Sequence, residues 1–466
     1  MKVKVNMMTR IPSIALRMLV IHASLSSCGG PKQNGQGQLN STDLPVESLQ
    51  PLSGSSSVGT SGQDLGYRLR GSRCVNFDGD TGYNPGYLGE CGNFFNVSMR
   101  YRNLSHLNLK GAIFINADLE GSDLRGTDLS FGKLQNSRLA HVQAAAAVLV
   151  SAKLENSDLS YANFDLANLT GAEANIVQAE HIHLNNAVMN GAKFARVQMD
   201  HADLGSCQMN AIDMSNSSLK GANLNGAQFR GALLRDLDAT ESTLNHTNFS
   251  HAILDSSIFV NATGTRVDFR DSSAIRADFT SSNLTRSIFT SAKFNGAKLN
   301  ATNLSGSIFT SANFAESSLI DANLQGSTGQ ASNWHQVLAE GADFSGSSWA
   351  NSEFSSANLR NSSMADAILD GSDFSRVRFE RADFSQSSCQ HCNFSNANGD
   401  RSLARSANWR GSNLNSASMI GANWRSANFA GVSTVGTILM DSIYDEQTEL
   451  PFGNREAASR GMRFEY

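Results

Sequence analysis

Proline, charge and cysteine are all scarce in this sequence, and each shortage excludes something. Six prolines stand against 39 glycines in 466 residues, and all six (Pro12, Pro31, Pro45, Pro51, Pro85, Pro451) lie outside residues 102–441. Charged residues make up 17% of the chain, below the ~25% of ordinary soluble domains, and the net charge is only −5. That balance argues against a strongly basic nucleic-acid binder and against a polyanionic surface. Six cysteines are too few for a scaffold built from disulfides. No apolar run reaches the ~20 residues of a membrane-spanning helix, which excludes a polytopic membrane protein. Length alone, at about 150 residues per domain, suggests roughly three domains.

What is present instead is a repeat. Stepping by five from Leu104 gives Leu109, Phe114, Leu119, Leu124, and the register runs unbroken to Leu439 through 68 positions. Leu or Phe fills 46 of them and Met or Trp another 10, all four tryptophans included. Two residues before each bulky position stands a small one: Ala, Ser, Thr, Val, Cys or Gly fills 63 of the 68 places, as at Ala112, Ala162, Ala222 and Ala312. A helix needs a period of 3.6 and a strand a period of 2, so a period of five matches neither. It fits a coil whose short extended segments turn after every pentapeptide, four of them closing a square turn of about 20 residues. The bulky residue fills the core, and the small one sits near the corner where backbones approach. Of the 56 charged residues between 102 and 441 none occupies the bulky register, and only Arg102 occupies the small one. Charges therefore face water. Proline is missing because each N–H must pair with the next coil.

Runs such as GANLNGAQFRGALLR (221–235) and SSNLTRSIFTSAKFNGAKLNATNLSGS (281–307) follow the pattern A(D/N)LXX. This motif resembles that of the pentapeptide repeat family over about 340 residues. The resemblance implies an all-β fold, the right-handed quadrilateral parallel β-helix, here a solenoid of about 17 coils over 102–441 and on the order of 80 Å long at ~4.8 Å per coil. Residues 20 apart should then stack. Phe294, Phe314, Trp334, Phe354, Phe374 and Phe394 form one expected core ladder. A second, Phe249, Phe269, Phe289, Phe309, runs into Gly329. Gly264, Gly329 and Gly399 underfill the bulky register, and local bends, bulges or compensating neighbours are expected there.

The chain ends differ from the block. Lys2, Lys4, Arg10 and Arg17 precede a short apolar stretch, MLVIHASL, that runs into Leu25-Ser26-Ser27-Cys28. A basic segment, an apolar segment and a small-residue site make a secretory signal over 1–27. The last four residues resemble a bacterial lipobox, which implies lipidation of Cys28 and attachment to a lipid bilayer through the acylated N-terminus. Gly29 and Gly30 follow, without the aspartate associated with inner-membrane retention. The expected location is the bacterial cell envelope, at the outer membrane; a non-cleaved cytoplasmic tail is the alternative. The Gly/Ser/Gln/Pro-rich residues 28–70 read as a disordered linker, with a root-mean-square span of roughly 35 Å. Residues 71–101 read as an N-terminal cap over an otherwise open solenoid end. Cys74 and Cys91 are the only cysteine pair there, a disulfide candidate in an exported protein, with free thiols the alternative. Residues 442–466 resemble the tail that closes many bacterial members of the family, through Tyr444, Asp445, Glu446, Thr448, Leu450, Pro451, Glu456-Ala457-Ala458 and Gly461-Met462. PFGN (451–454) departs from the family's usual stretch there. A short helix is expected over Arg455–Arg460.

Residue constellations that carry chemistry were sought along the chain. Asn76, Asp78 and Asp80 invite a calcium loop, yet Thr81 and Tyr87 stand where an EF-hand needs Gly and Glu. Cys389-Gln390-His391-Cys392 has redox or zinc spacing, but the register places Cys389 in the bulky column and Cys392 in the small one, both inside the core. Cys207 is likewise expected to be a buried free thiol. His141, Tyr161, His181 and His201 share one outward column, read as a solvated ladder. Asn-x-Ser/Thr sequons arise automatically from the repeat. No phosphate loop or nucleophile elbow is present. Neither a metal nor a cofactor nor catalysis is expected.

Two functions remain. One is a membrane-anchored, non-catalytic scaffold, a rigid β-helix presenting flat faces for protein or glycan binding or for spacing. The other is the DNA mimicry that the resemblance brings with it, because acidic members of the family bind gyrase. Residues 102–441 carry 31 acidic and 25 basic residues, a net −6. Duplex DNA carries one charge per ~1.7 Å, a far denser field. The scaffold is favoured, and no nucleic-acid partner is expected.

Overall fold

A repeat of five demands a corner every five residues, and the backbone supplies it. The computed structural model describes residues 62–465. The signal segment 1–27, the lipidation candidate Cys28 and residues 28–61 of the expected linker lie outside the described residues. Every fifth residue, from Tyr101 and His106 to Asp441, has positive φ, between 54° and 62° wherever it is not glycine. Most stand third in a turn closed by the small residue's N–H on the bulky residue's carbonyl, as Ala112 on Leu109 (3.0 Å) and Ala117 on Phe114 (2.9 Å). Positive φ at the third place is the type II signature.

Four such corners complete a coil. Parallel bridges join every fifth residue to the one 20 later, from Asn93↔Ile113 to Asn423↔Ile443. The described chain is a right-handed quadrilateral β-helix whose four sides each contribute one bridged residue per coil. The two inward columns are buried almost without interruption from Phe94 to Leu439 and form one core.

The motif letters now have physical roles. Asp or Asn, just before the bulky residue, accepts the N–H two residues on, as Asp128 from Ser130 (3.0 Å) and Asn168 from Thr170 (3.1 Å). This Asx turn starts the corner. Many Ser and Thr hydroxyls of the small column donate to a bulky residue's carbonyl, either three residues back in the same coil, as Ser257 to Leu254 O (2.6 Å), or in the preceding coil. Thr127 reaches Leu104 O (2.7 Å), Ser137 reaches Phe114 O (2.6 Å) and Ser157 reaches Leu134 O (2.7 Å). These buried hydroxyls are thereby satisfied, whereas those of Ser242, Ser282 and Ser402 have no partner.

The underfilled glycines do not break the helix; bridges run through Thr263↔Asn283, Thr328↔Ser348 and Asn398↔Ser418. Neighbours occupy the missing volume. A Cβ on Gly329 would stand 1.9 Å from the Trp349 ring, and one on Gly399 would meet the Phe379 ring at 2.3 Å.

The cap boundaries differ from those expected. Leu69 and its neighbours, assigned to the linker by composition, form strand β1 (Arg68–Arg70), antiparallel to β2 (Arg73–Val75). Asn84 holds this segment by accepting the Leu65 N–H at 2.9 Å and donating to Tyr67 O at 3.0 Å. The coil itself begins before residue 102. β3 (Asn84–Pro85) pairs in parallel with β4 (Gly92–Asn93), and Asn93 bridges Ile113. Phe94 and Met99 already stand in the bulky column, and Phe94 stacks on Phe114 at 4.8 Å. At the other end β5 (Ile443–Tyr444) pairs in parallel with β6 (Arg463–Phe464), and α1 (Asn454–Ser459) lies between them. The helix starts one residue earlier than expected, because Gly453 in extended conformation serves as its N-cap.

Candidate interaction surface

Stacking at one-strand spacing governs both the inside and the outside of the coil. Inside, the ring centroids of Phe294–Phe314, Phe314–Trp334, Trp334–Phe354, Phe354–Phe374 and Phe374–Phe394 lie 5.0, 4.8, 6.0, 4.9 and 5.0 Å apart, each pair near-parallel. The second column, Phe249–Phe269–Phe289–Phe309, stacks at 5.4, 5.1 and 4.8 Å. Beyond it, Trp349 reaches back over Gly329 to within 5.5 Å of Phe309, so the aromatic column bridges its own gap. The two columns meet edge to face, as at Phe289–Phe294 (5.2 Å, 82°). Offset and T-shaped pairs are the favourable arrangements of ring quadrupoles.

Cysteine chemistry is spent inside. Cys74 and Cys91 are joined by a disulfide, S–S 1.99 Å, beneath the first complete coil. Cys389 and Cys392 are also bonded to each other, their Cα atoms 5.5 Å apart across one corner. The sequence register placed both in the core but did not reveal the bond. Cys207 is free and buried, and its Sγ donates to Leu184 O in the manner of a corner serine (2.6 Å). Burial pushes this thiol up to about 12, away from the thiolate form. Asn76 and Asp80 close their own loop, with the Asp80 N–H on Asn76 Oδ1 at 2.8 Å. Among the described residues no group of three or more His, Cys, Asp or Glu is arranged to hold a metal ion, and no helix is long and apolar enough to cross a membrane.

Outside, the corner residues make ladders of their own. His141, Tyr161, His181 and His201 stack in sequence at 5.2, 4.9 and 5.1 Å. Their faces are spent on one another, leaving ring edges to solvent. Gly221 ends the stack, since a Cβ there would meet His201 Nδ1 at 2.6 Å. Charges alternate along other columns. Glu173 lies between Lys153 and Lys193, 3.1 Å from each, and hydrogen bonds from Lys193 and then Lys153 hold its carboxyl below the usual range. Glu120 pairs with Arg100 (2.9 Å) and Arg138 (3.3 Å) in the same way. The faces thus present neutralised stripes, with serine, asparagine and threonine between them.

A model of the pentapeptide repeats matches this chain in eight copies between residues 93 and 402, together spanning just over half of its length. No curated protein matches by sequence. Among solved structures, QnrB1 in a trypsin-treated form, a plasmid-mediated fluoroquinolone resistance protein, is 20% identical. That match covers 40% of this chain and 90% of QnrB1, with a TM-score of 0.22. HetL of the cyanobacterium Nostoc sp. strain PCC 7120, a pentapeptide repeat protein involved in heterocyst differentiation regulation, is also 20% identical. It covers 62% of this chain and 92% of its own, with a TM-score of 0.15. A pentapeptide repeat protein from the thylakoid lumen of Arabidopsis thaliana is 22% identical over 22% of this chain and 65% of its own, with a TM-score of 0.11.

Proposed function

The chain belongs to the pentapeptide repeat family, and from that membership we propose a non-catalytic scaffold, anchored to a bacterial membrane through lipidated Cys28, that presents the faces of its β-helix to a protein or a glycan. One observation carries the binding half of this reading. Outward side chains recur in straight columns at one-strand spacing over the whole solenoid, from Asn93 to Ile443. Such a surface suits an extended or repetitive partner better than a small molecule, which needs a concave pocket. The inward columns have no spare chemistry: the one free thiol is neutral and buried, and the other described cysteines are paired. The anchoring half rests on the basic, apolar and small-residue segments ahead of Cys28 and on the polar spacer behind it.

Metabolic labelling with a palmitate analogue and membrane fractionation, on wild type and Cys28→Ala, test the anchor. Label and membrane association are expected in the wild type and lost in the variant. Unchanged label in Cys28→Ala removes the lipid anchor and returns the chain to the cytoplasmic alternative.

A further inference from the structure

One edge of the solenoid carries two successive arginines that nothing nearby neutralises, with a histidine one coil before them. His246, Arg266 and Arg286 occupy the same corner of three successive coils, all exposed, with φ of 58°, 57° and 57°. Coil register holds them in line, through the N–H of His246 on Thr265 O (3.0 Å), of Arg266 on Thr285 O (3.0 Å) and of Arg286 on Ser305 O (2.9 Å). Neither guanidinium makes an ion pair or hydrogen bond among the described residues. Gly226 and Gly306 flank the run on the same edge, and the Arg286 stem leans over Gly306, its Cγ 3.4 Å from where a Cβ would stand. Together with Thr265, Thr285 and Ser305 these residues line a shallow cavity of about 330 Å³ that contains no carboxylate.

The chain supplies its own control. Arg381 and Arg401 stack at another edge with φ of 62° and 61°. There the residues just before the two corners are Glu380 and Asp400, which line the same cavity as the arginines, Glu380 held by Arg360 (3.1 Å) and Asp400 accepting from Ser418 (2.6 Å). At Arg266 and Arg286 the equivalent residues are Thr265 and Thr285. The only acid within two residues of this edge is Asp268, and its carboxylate is already held by Arg270 Nε (3.0 Å) and Nη2 (2.6 Å). Two arginines whose backbones lie one coil apart, about 4.8 Å, are well inside a Debye length and repel each other unless an anion sits between them.

We propose that this edge binds a linear acidic polysaccharide, with successive carboxylate or sulfate groups of the polymer seated on Arg266 and Arg286. Guanidinium forks match such oxyanions in two-point geometry. The threonine and serine hydroxyls beside them pair with sugar hydroxyls. Ile288 and Ile308, two residues past the corner, give the sugar rings an apolar strip, Ile308 being 40% exposed. Nucleic acid fits less well, since bases need aromatic platforms and no Phe, Tyr or Trp faces outward in the columns beside this edge. The inference rests on the glycan branch of the proposed function and is independent of the lipid anchor.

Isothermal titration of the purified chain tests it with polygalacturonate for carboxylate, heparin for sulfate, dextran as a neutral polymer and a single-stranded oligonucleotide. One of the two acidic glycans is expected to bind, and dextran is not. Arg266→Gln/Arg286→Gln should weaken that binding at least about tenfold, and Arg381→Gln/Arg401→Gln less than about twofold, in proteins with unchanged circular dichroism. Absence of binding to both acidic glycans, equal losses in the two double variants, an unchanged affinity in the first, or tighter binding of the oligonucleotide each overturns the proposal. All of these outcomes leave the Cys28 experiment unaffected.

Discussion

Two pairs of tryptophans occupy the same column type and differ in one atom's fate. Trp334 Nε1 donates to Ser332 Oγ at 2.7 Å and Trp349 Nε1 to Ser347 Oγ at 2.5 Å, each to the small residue two before it. Trp409 and Trp424 have Ala407 and Ala422 at that place, and their buried Nε1 atoms have no partner. An unmade buried hydrogen bond costs more than a made one contributes. Ala407→Ser and Ala422→Ser should therefore each raise stability by about 1 kcal/mol, read as a higher urea midpoint with unchanged slope. A lower midpoint in both would mean that the corner has no room for the hydroxyl. Ile176 shows the opposite kind of fault, a β-branched residue at φ 61° with 53% of its surface exposed. Replacing it with Asn, which tolerates the left-handed region, should stabilise by about 1 kcal/mol. The inward columns were legible in the sequence because only a narrow set of side chains fits a core of fixed width. The left-handed corner was not, because its side chain points to water and ranges from glycine to Ile176, Phe131 and Arg266.

At the scale of elements, the turn and the cap explain what composition missed. A corner places a bulky residue and the next small residue three apart in sequence, and at Cys389 and Cys392 that geometry brings their Cα atoms to 5.5 Å, within disulfide range. The register correctly sent both side chains inward, but a linear motif does not show that a corner lies between them. Leu65 to Arg70 have linker-like surroundings, following a glycine- and serine-rich run, yet Asn84, 17 to 19 residues away, and pairing with β2 order them. That contact is not periodic, so no repeat announces it. The cap is further held by Asp64, whose carboxyl the Arg68 guanidinium lowers from 3.8 to about 2. A carboxyl depressed in the folded state stabilises above its unfolded pKa and loses that contribution as pH falls through the folded one. Protection factors at Leu65 to Arg70, with the intrinsic pH dependence of exchange divided out, should accordingly fall between about pH 4 and pH 2 in wild type, but not in Asp64→Asn. Equal pH dependence in both would assign the loosening to other carboxylates. Cys74→Ser/Cys91→Ser should free the same hairpin while exchange in the central coils stays slow, since neighbouring coils stabilise one another in series.

Across the described solenoid, opposite charges pair in stripes rather than building one field, the Arg266–Arg286 edge being the exception. The 31 acidic and 25 basic residues of 102–441 could have been segregated onto separate faces, and net charge alone would not reveal it. The structure interleaves them instead along the axis, with Lys153–Glu173–Lys193 and Arg100–Glu120–Arg138 alternating coil by coil. Each carboxylate in such a stripe is within 3.3 Å of two cations, so its potential is cancelled locally before it can add to its neighbours'. A DNA mimic needs the reverse, one sign repeated at intervals of a few Å with nothing between. A regular column spacing of a few Å is present here, and the one-sign pattern is not. Purified protein titrated into a gyrase supercoiling reaction at physiological salt should therefore leave the rate of supercoiling unchanged, even in molar excess over enzyme. Inhibition near stoichiometric amounts would mean that the interleaved stripes do not decide partner choice, and it would favour the cytoplasmic reading over the envelope one.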